Sequence, residues 1–302
     1  MKYLVRQWKD FLFYFAVPFI AAMSPWRFAL PWLRWWAARD GGPFDEPALP
    51  ATAFAPNYVD VADPAKFKRD ARLIWLIDAH DEFLSLTRWR RRYWPRYVEQ
   101  VGNWPTKGPF VVLGFHYGTG SWVFHSLARA GYDCMVMSVR WERSDYRGVP
   151  LRYWYGKLRG FEMSRVGGCD VAMRPGVREK LSGALADKKT VLGLIDVPPR
   201  MAPRGQQPVR LLDRNLSFPD GLLSLAQQAG VPVVPYWIDF DLPNRKRRFC
   251  IGEPLDPNDV AGTLQSVADI LDRQIRRMPE AWFFWPELPQ WVDDAAKIDR
   301  MA

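Results

Sequence analysis

Cysteine and histidine are scarce in this chain, with three of each in 302 residues. Cys134, Cys169 and Cys250 are odd in number, far apart and set in or beside apolar runs. That pattern suggests small buried hydrophobes in a reducing compartment rather than a disulfide framework. It lacks the close Cys pairs of a zinc site, and His80, His116 and His125 add little, so no metal is expected. Asp239 and Asp241 flank Phe240 but bring no further ligands with them. The string Gly-Thr-Gly-Ser-Trp at 118–122 is not a Gly-x-Ser-x-Gly nucleophile elbow, and no Gly-Lys-Ser or Gly-Lys-Thr follows to make a phosphate loop. A long hydrophobic span is missing too. The N-terminal run Phe11 to Met23, FLFYFAVPFIAAM, would rise about 20 Å as a helix against a hydrocarbon core of about 30 Å. Pro18 would kink it. Lys2, Arg6 and Lys9 precede this run as in a signal peptide, but no small-x-small cleavage site follows.

Aromatic residues and positive charge are abundant. There are 16 Trp, 15% aromatics overall, 48% apolar residues and a net charge of +9, which together exclude disorder. Trp26, Trp32, Trp35 and Trp36 alternate with Arg27, Arg34 and Arg39. Amphipathic rings beside cations suit a lipid headgroup layer, so residues 1–40 are expected to form an interfacial or re-entrant membrane anchor. The alternative is a helical hairpin packed on the main domain. Residues 41–64, rich in Pro, Ala and Gly, suggest a surface linker, and 65–302 the main domain. Arg88, Arg90, Arg91, Arg92 and Arg96 interleave with Trp89, Tyr93 and Trp94, but without an RNA-recognition signature no nucleic-acid partner is expected.

From residue 108 onward short apolar runs alternate with amphipathic stretches: PFVVLGF, SWVFHSLARAG, CMVMSV, then TVLGLID, DGLLSLAQQAG and VPVVPYWIDF. This rhythm predicts an α/β fold, a mixed but largely parallel sheet flanked by helices, with ligands beyond the carboxyl ends of the strands. His116 stands at such an end, directly before a Gly-rich turn containing Gly118 and a following helix. His80 and His125 fall within helical stretches and suggest packing or surface.

The order of these segments resembles the bacterial lipid A late acyltransferase family, a branch of the lysophospholipid acyltransferase-like proteins. In that family a strand ends in His-Phe-Gly-Asn-Trp-Glu, a His-x4-acid motif, where this chain has His116, Tyr117, Gly118, Thr119, Gly120 and Ser121. The likeness extends over about residues 108 to 291 by the α/β rhythm. VLGLIDVPPR with Asp196 is similar to the family's strand ending in Asp-Gln, and PEAWFFWPELPQW to its closing Trp-rich segment.

The resemblance implies a glycerolphosphate acyltransferase-like fold and a membrane-associated acyltransferase at the cytoplasmic face of the inner membrane. Its acyl donor would be an acyl-carrier-protein or coenzyme A thioester, its acceptor a lipid or other hydroxyl or amine, with no cofactor besides the thioester. His116 would be the general base, and Tyr117 and Gly118 would line the substrate. The family acid charges and orients the histidine, yet its position here holds Ser121, and a hydroxyl cannot offset an imidazolium. Three accounts follow. Asp196 replaces the acid across space, or His116 works with Ser121 and backbone partners alone, or catalysis is lost and the fold serves as a lipid-binding scaffold. Arg159 and Arg165 lie where the family carries an Arg between its second and third strands, able to neutralise an oxyanion or hold a phosphate.

Overall fold

The computed structural model describes residues 2–41, 45–87, 90–166, 168–241 and 246–299, with backbone alone at 47, 87, 90–93, 165–166, 293 and 295–299. Helices α1 (Lys2–Phe11), α2 (Val17–Met23), α3 (Trp26–Ala37), α4 (Asp45–Phe54), α5 (Pro64–Thr87) and α6 (Arg90–Tyr97) precede the sheet. There follow β1 (Val98–Val101), β2 (Val111–Gly114), α7 (Trp122–Ala130), β3 (Cys134–Met137), α8 (Pro150–Phe161), β4 (Cys169–Ala172), α9 (Val177–Ala186) and β5 (Thr190–Leu194). The chain continues through β6 (Gln206–Leu211), β7 (Arg214–Pro219), α10 (Gly221–Ala229), β8 (Val233–Asp241), β9 (Lys246–Ile251), α11 (Val260–Arg277) and α12 (Leu288–Asp299).

Seven strands form one sheet in the order β1-β9-β8-β2-β5-β3-β4, while β6 and β7 pair separately as an antiparallel hairpin. The run β8-β2-β5-β3-β4 is parallel throughout, and only β9 meets β8 antiparallel. This is the mixed, largely parallel sheet that the apolar rhythm predicts. β2 is buried at all four positions because it lies mid-sheet, covered on both faces, which is why PFVVLGF is continuously apolar rather than alternating. Gly114 ends this strand where a Cβ would overlap the Tyr236 ring. Gly114→Ala is therefore expected to lower unfolding stability by about 1–3 kcal/mol, as overpacked cores do; an unchanged denaturation midpoint would contradict the packing.

Connections fix where a site can form. The link β2–α7–β3 runs across the sheet towards β4, and the link from β5 through α10 to β8 runs the other way. Right-handed crossovers in opposite directions place α7 and α10 on opposite faces, and open α/β sheets of this kind bind ligands beyond the carboxyl ends at such a reversal, here those of β2 and β5.

The N-terminal segment packs on the domain as a helical hairpin. Val17, Ala21 and Ala22 of α2 and Ala29, Leu30, Leu33 and Ala37 of α3 are buried, and both helices lie against α5. A π-helical turn over Leu12–Ala16 precedes Pro18, whose ring nitrogen has no hydrogen to donate. Among the described residues no helix is long and apolar enough to cross a membrane. An outer face nevertheless exposes Leu4, Trp8, Phe11, Phe19, Ile20, Met23, Phe28 and Trp35.

Two further expectations are corrected. The 41–64 stretch contains α4, which buries Ala48 and Ala51, and Asp45 at its start pairs with the buried Arg72 of α5. Tertiary packing and that ion pair hold as helix a segment whose two prolines, Pro47 and Pro50, disguise its periodicity. Cys134 and Cys169 are joined in a disulfide, because β3 and β4 pair them in parallel register at a Cα separation of 4.9 Å. Their 35-residue separation in sequence hides this neighbourhood. Cys250 remains a free buried thiol, pushed by burial up to about 11.

In the basic stretch singled out at 88–96, residues 88 and 89 lie outside the described residues and 90–93 are described in backbone alone. Of its side chains, Trp94 is buried against Trp122 and Phe249, and Arg96 is exposed.

Candidate active site

Register brings His116 and Asp196 together. Gly114 of β2 pairs with Leu194 of β5, and each chain runs two residues further before its polar side chain appears. The amide of Ile195 donates to the Gly114 carbonyl at 3.0 Å, carrying the ladder one step past the strands. His116 Nδ1 then stands 2.9 Å from Asp196 Oδ1. The His116 backbone N–H donates to both carboxylate oxygens at 3.0 Å, and Trp282 Nε1 donates to Oδ2 at 3.0 Å.

Asp196 is fully buried and, as a carboxylate, accepts from those N–H groups, so in a neutral His116 ring it selects the tautomer with the hydrogen on Nδ1. The His116 side chain is 32% exposed, with its ring 4.0 Å from that of Phe284. The imidazole thus has one nitrogen anchored in the protein interior while part of its ring is open to the surface.

The loop is clamped from the other side by the closing aromatic segment. Phe283 N–H donates to the His116 carbonyl at 2.9 Å, and Gly118 N–H to the Ala281 carbonyl at 2.9 Å. Trp75 of α5 packs on Phe283 at 4.3 Å. Gly118 takes φ +64°, and a Cβ there would press on the Ile238 carbonyl, so the turn requires glycine. Its amide is engaged by Ala281 rather than turned to a ligand.

The remaining residues singled out in the sequence have other positions. Tyr117, next to His116, is held by an isolated antiparallel bridge to Trp282. It is buried, and its hydroxyl donates to the Gln274 carbonyl at 3.1 Å, which removes it from the substrate-lining set. Ser121 is buried immediately ahead of α7 and makes no side-chain cap there, while His116 Nδ1 takes Asp196 as its partner. Arg159 is occupied: its Nη1 binds Asp78 at 2.8 Å and its Nε lies 3.3 Å from Glu82. The side chain of Arg165 lies outside the described residues. His80 and His125 are buried, beside Asp81 and Glu162 respectively. Asp239 pairs with Arg277 at 2.8 Å, and no group able to hold a metal occurs among the described residues.

Trp282 and Phe284 are the site residues that strand-end reasoning misses. Their only signal is the density of aromatics in PEAWFFWPELPQW, which says nothing about which ring meets the carboxylate. Trp282→Phe keeps an aromatic ring against Trp285, an edge-to-face contact at 4.9 Å, but deletes a hydrogen bond to a charged acceptor. Such a bond contributes about 1.5–3 kcal/mol, so kcat is expected to fall roughly ten- to a hundredfold with KM little changed. A variant as fast as wild type would remove Trp282 from the site.

No family model matches the chain, and no curated protein matches it. Among solved structures it is similar to the crystal structure of the 1-acyl-sn-glycerophosphate (LPA) acyltransferase, PlsC, from Thermotoga maritima. The two are 17% identical, with 78% of this chain and 96% of that chain covered and a TM-score of 0.36. That likeness is too loose to argue from.

Proposed function

We propose that the protein is a membrane-associated acyltransferase. It would move an acyl chain from an acyl-carrier-protein or coenzyme A thioester to a hydroxyl or amine of a lipid or other acceptor, at the cytoplasmic face of the inner membrane. The observation that carries this reading is the His116–Asp196 pair at the carboxyl ends of two adjacent parallel strands.

His116 Nε2 takes the acceptor's proton as its oxygen or nitrogen forms a bond to the thioester carbonyl carbon. The carbonyl π electrons move to oxygen, then return as the carbon–sulfur bond breaks, and the departing thiolate recovers the proton from the imidazolium. Asp196 offsets the imidazolium charge during the interval, the task that Ser121 cannot perform. The exposed apolar side chains of α1 to α3, beside Lys2, Lys9, Arg27 and Arg34, support a peripheral seat on an anionic membrane.

A second reading, a catalytically impaired lipid-binding scaffold, is favoured by one observation. Arg159 is held by two buried carboxylates instead of facing the histidine. The test is transfer from a panel of acyl-carrier-protein and coenzyme A thioesters into a total lipid extract, read by mass spectrometry for wild type and His116→Ala. A product that disappears with the imidazole supports the enzyme. Equal lipid binding by both proteins without product supports the scaffold.

A further inference from the structure

We propose that the cleft between α1 and the 143–150 segment binds the phosphate of an anionic phospholipid head group of the phosphatidate class. This inference is independent of the chemistry at His116. The cleft has a volume of about 520 Å³ and is lined by Tyr3 of α1 and by Arg143, Ser144, Tyr146 and Arg147. Neither arginine has an ion-pair partner among the described residues. Glu142 and Asp145 lie in the same segment but do not line the cleft, and Asp145 accepts from Ser144 Oγ at 3.3 Å. Arg143 and Arg147 are exposed side chains that both line this opening, and their planar guanidinium forks match phosphate oxygens.

The walls are built rather than loose. Gln7 Nε2 donates to the Gly148 carbonyl at 2.9 Å. Arg152 grips the buried Asp10 through Nε and Nη2 at 2.9–3.1 Å and reaches Glu46 at 2.8 Å. Helix α1 is therefore tied to the segment at Gln7 and to α8 at Asp10, beyond the Tyr3 that lines the opening.

The choice of lipid over a soluble phosphate comes from the helical period. Tyr3, Gln7 and Asp10 follow i, i+4, i+7 spacing and form the face turned to the cleft segment. Leu4, Trp8 and Phe11 follow the same spacing on the adjoining face, and they are 70%, 60% and 41% exposed. A head group held by Arg143 and Arg147 would thus place its glycerol and acyl chains along an apolar ridge, with Lys2, Arg6 and Lys9 on the third face. A free phosphate or a nucleotide has no use for that ridge.

The test is ³¹P NMR titration of the full chain with dihexanoyl phosphatidate below its micelle concentration and, separately, with inorganic phosphate. Binding is read without turnover, and in His116→Ala as well, so its outcome is separate from that of the transfer assay. The lipid is expected to bind saturably, and at least tenfold more tightly than inorganic phosphate. Arg143→Ala with Arg147→Ala should weaken it about 25-fold, near fivefold per basic residue at a lipid surface. Arg178→Ala with Arg210→Ala, which removes the same charge elsewhere, should leave it unchanged. Circular dichroism confirms that each variant is folded. The proposal is overturned by absent saturation, by a cleft variant within twofold of wild type, or by an equal loss in the control pair. Equal affinity for inorganic phosphate would likewise overturn the lipid assignment.

Discussion

Asp196→Asn is expected to lower kcat for acyl transfer by about 10⁴-fold. The carboxylate accepts from the His116 amide, His116 Nδ1 and Trp282 Nε1. An asparagine of the same shape offers one acceptor oxygen and turns an NH₂ group towards donors, so the imidazole accepts through Nδ1 and carries its hydrogen on Nε2. The nitrogen facing the substrate is then no longer a base. Loss of the correct tautomer in a buried His–Asp pair lowers turnover by about this factor. The same change leaves donors unpaired at about 1–3 kcal/mol, so rates must be compared where denaturation curves show both proteins folded. His116→Ala should be equally damaging, and the double variant no worse than either, because residues acting as a unit are not additive. A double variant that multiplies the two losses would mean that the pair does not work together. Full activity of Asp196→Asn would return the supporting role to Ser121.

Much of this site is legible along the chain, but its assembly is not. His116 and Asp196 can each be placed at a strand end from the apolar runs that precede them. Their meeting depends on β5 inserting between β2 and β3 after the chain has already built β4, an order that periodicity does not encode. The Cys134–Cys169 disulfide is hidden by the 35 residues of chain between two strands that pair only in the folded sheet. A turn motif treats consecutive residues as equivalent, whereas here His116 keeps its ring partly exposed and Tyr117 beside it is buried with its hydroxyl on the Gln274 carbonyl. The N-terminal hairpin shows the limit of composition: alanines and leucines at helical spacing bury one face of α2 and α3 on α5, while large aromatics remain on the other. Both the packed hairpin and the lipid-facing surface are written in the same residues. In α5, RLIWLIDAHDEFLSL carries apolar residues on all sides, the mark of a buried helix, so its acidic residues had to be buried as well.

That burial gives the protein an expected pH dependence. Asp78 and Glu82 share the Arg159 guanidinium, and burial raises both carboxyls above their ordinary values of 3.8 and 4.5, more than Arg159 lowers them. The neighbouring Glu162, which accepts from Ser85 and lies 3.4 Å from His125 Nε2, pushes Glu82 up further. Asp81, between Arg247 and His80, is lowered instead, so its contribution is lost only as pH falls below about 4. Groups with raised pKa hold more protons in the folded state than in the unfolded one. Their stabilisation is complete below the unfolded pKa and is lost as pH rises through the folded value. Stability should therefore decline from about pH 4.5 upward, with Asp239 and Glu280, also raised by burial, adding to the slope. Glu82→Gln removes one of two buried negative charges competing for a single guanidinium. It should stabilise the protein at pH 8 by about 3 kcal/mol, the scale of an uncompensated buried charge, and leave it nearly unchanged at pH 4. Urea midpoints across pH 4 to 8.5 decide the matter. A wild type that is flat over this range, or a Glu82→Gln variant weaker than wild type at pH 8, would mean that Glu82 is held ionised by a partnership strong enough to outweigh its burial.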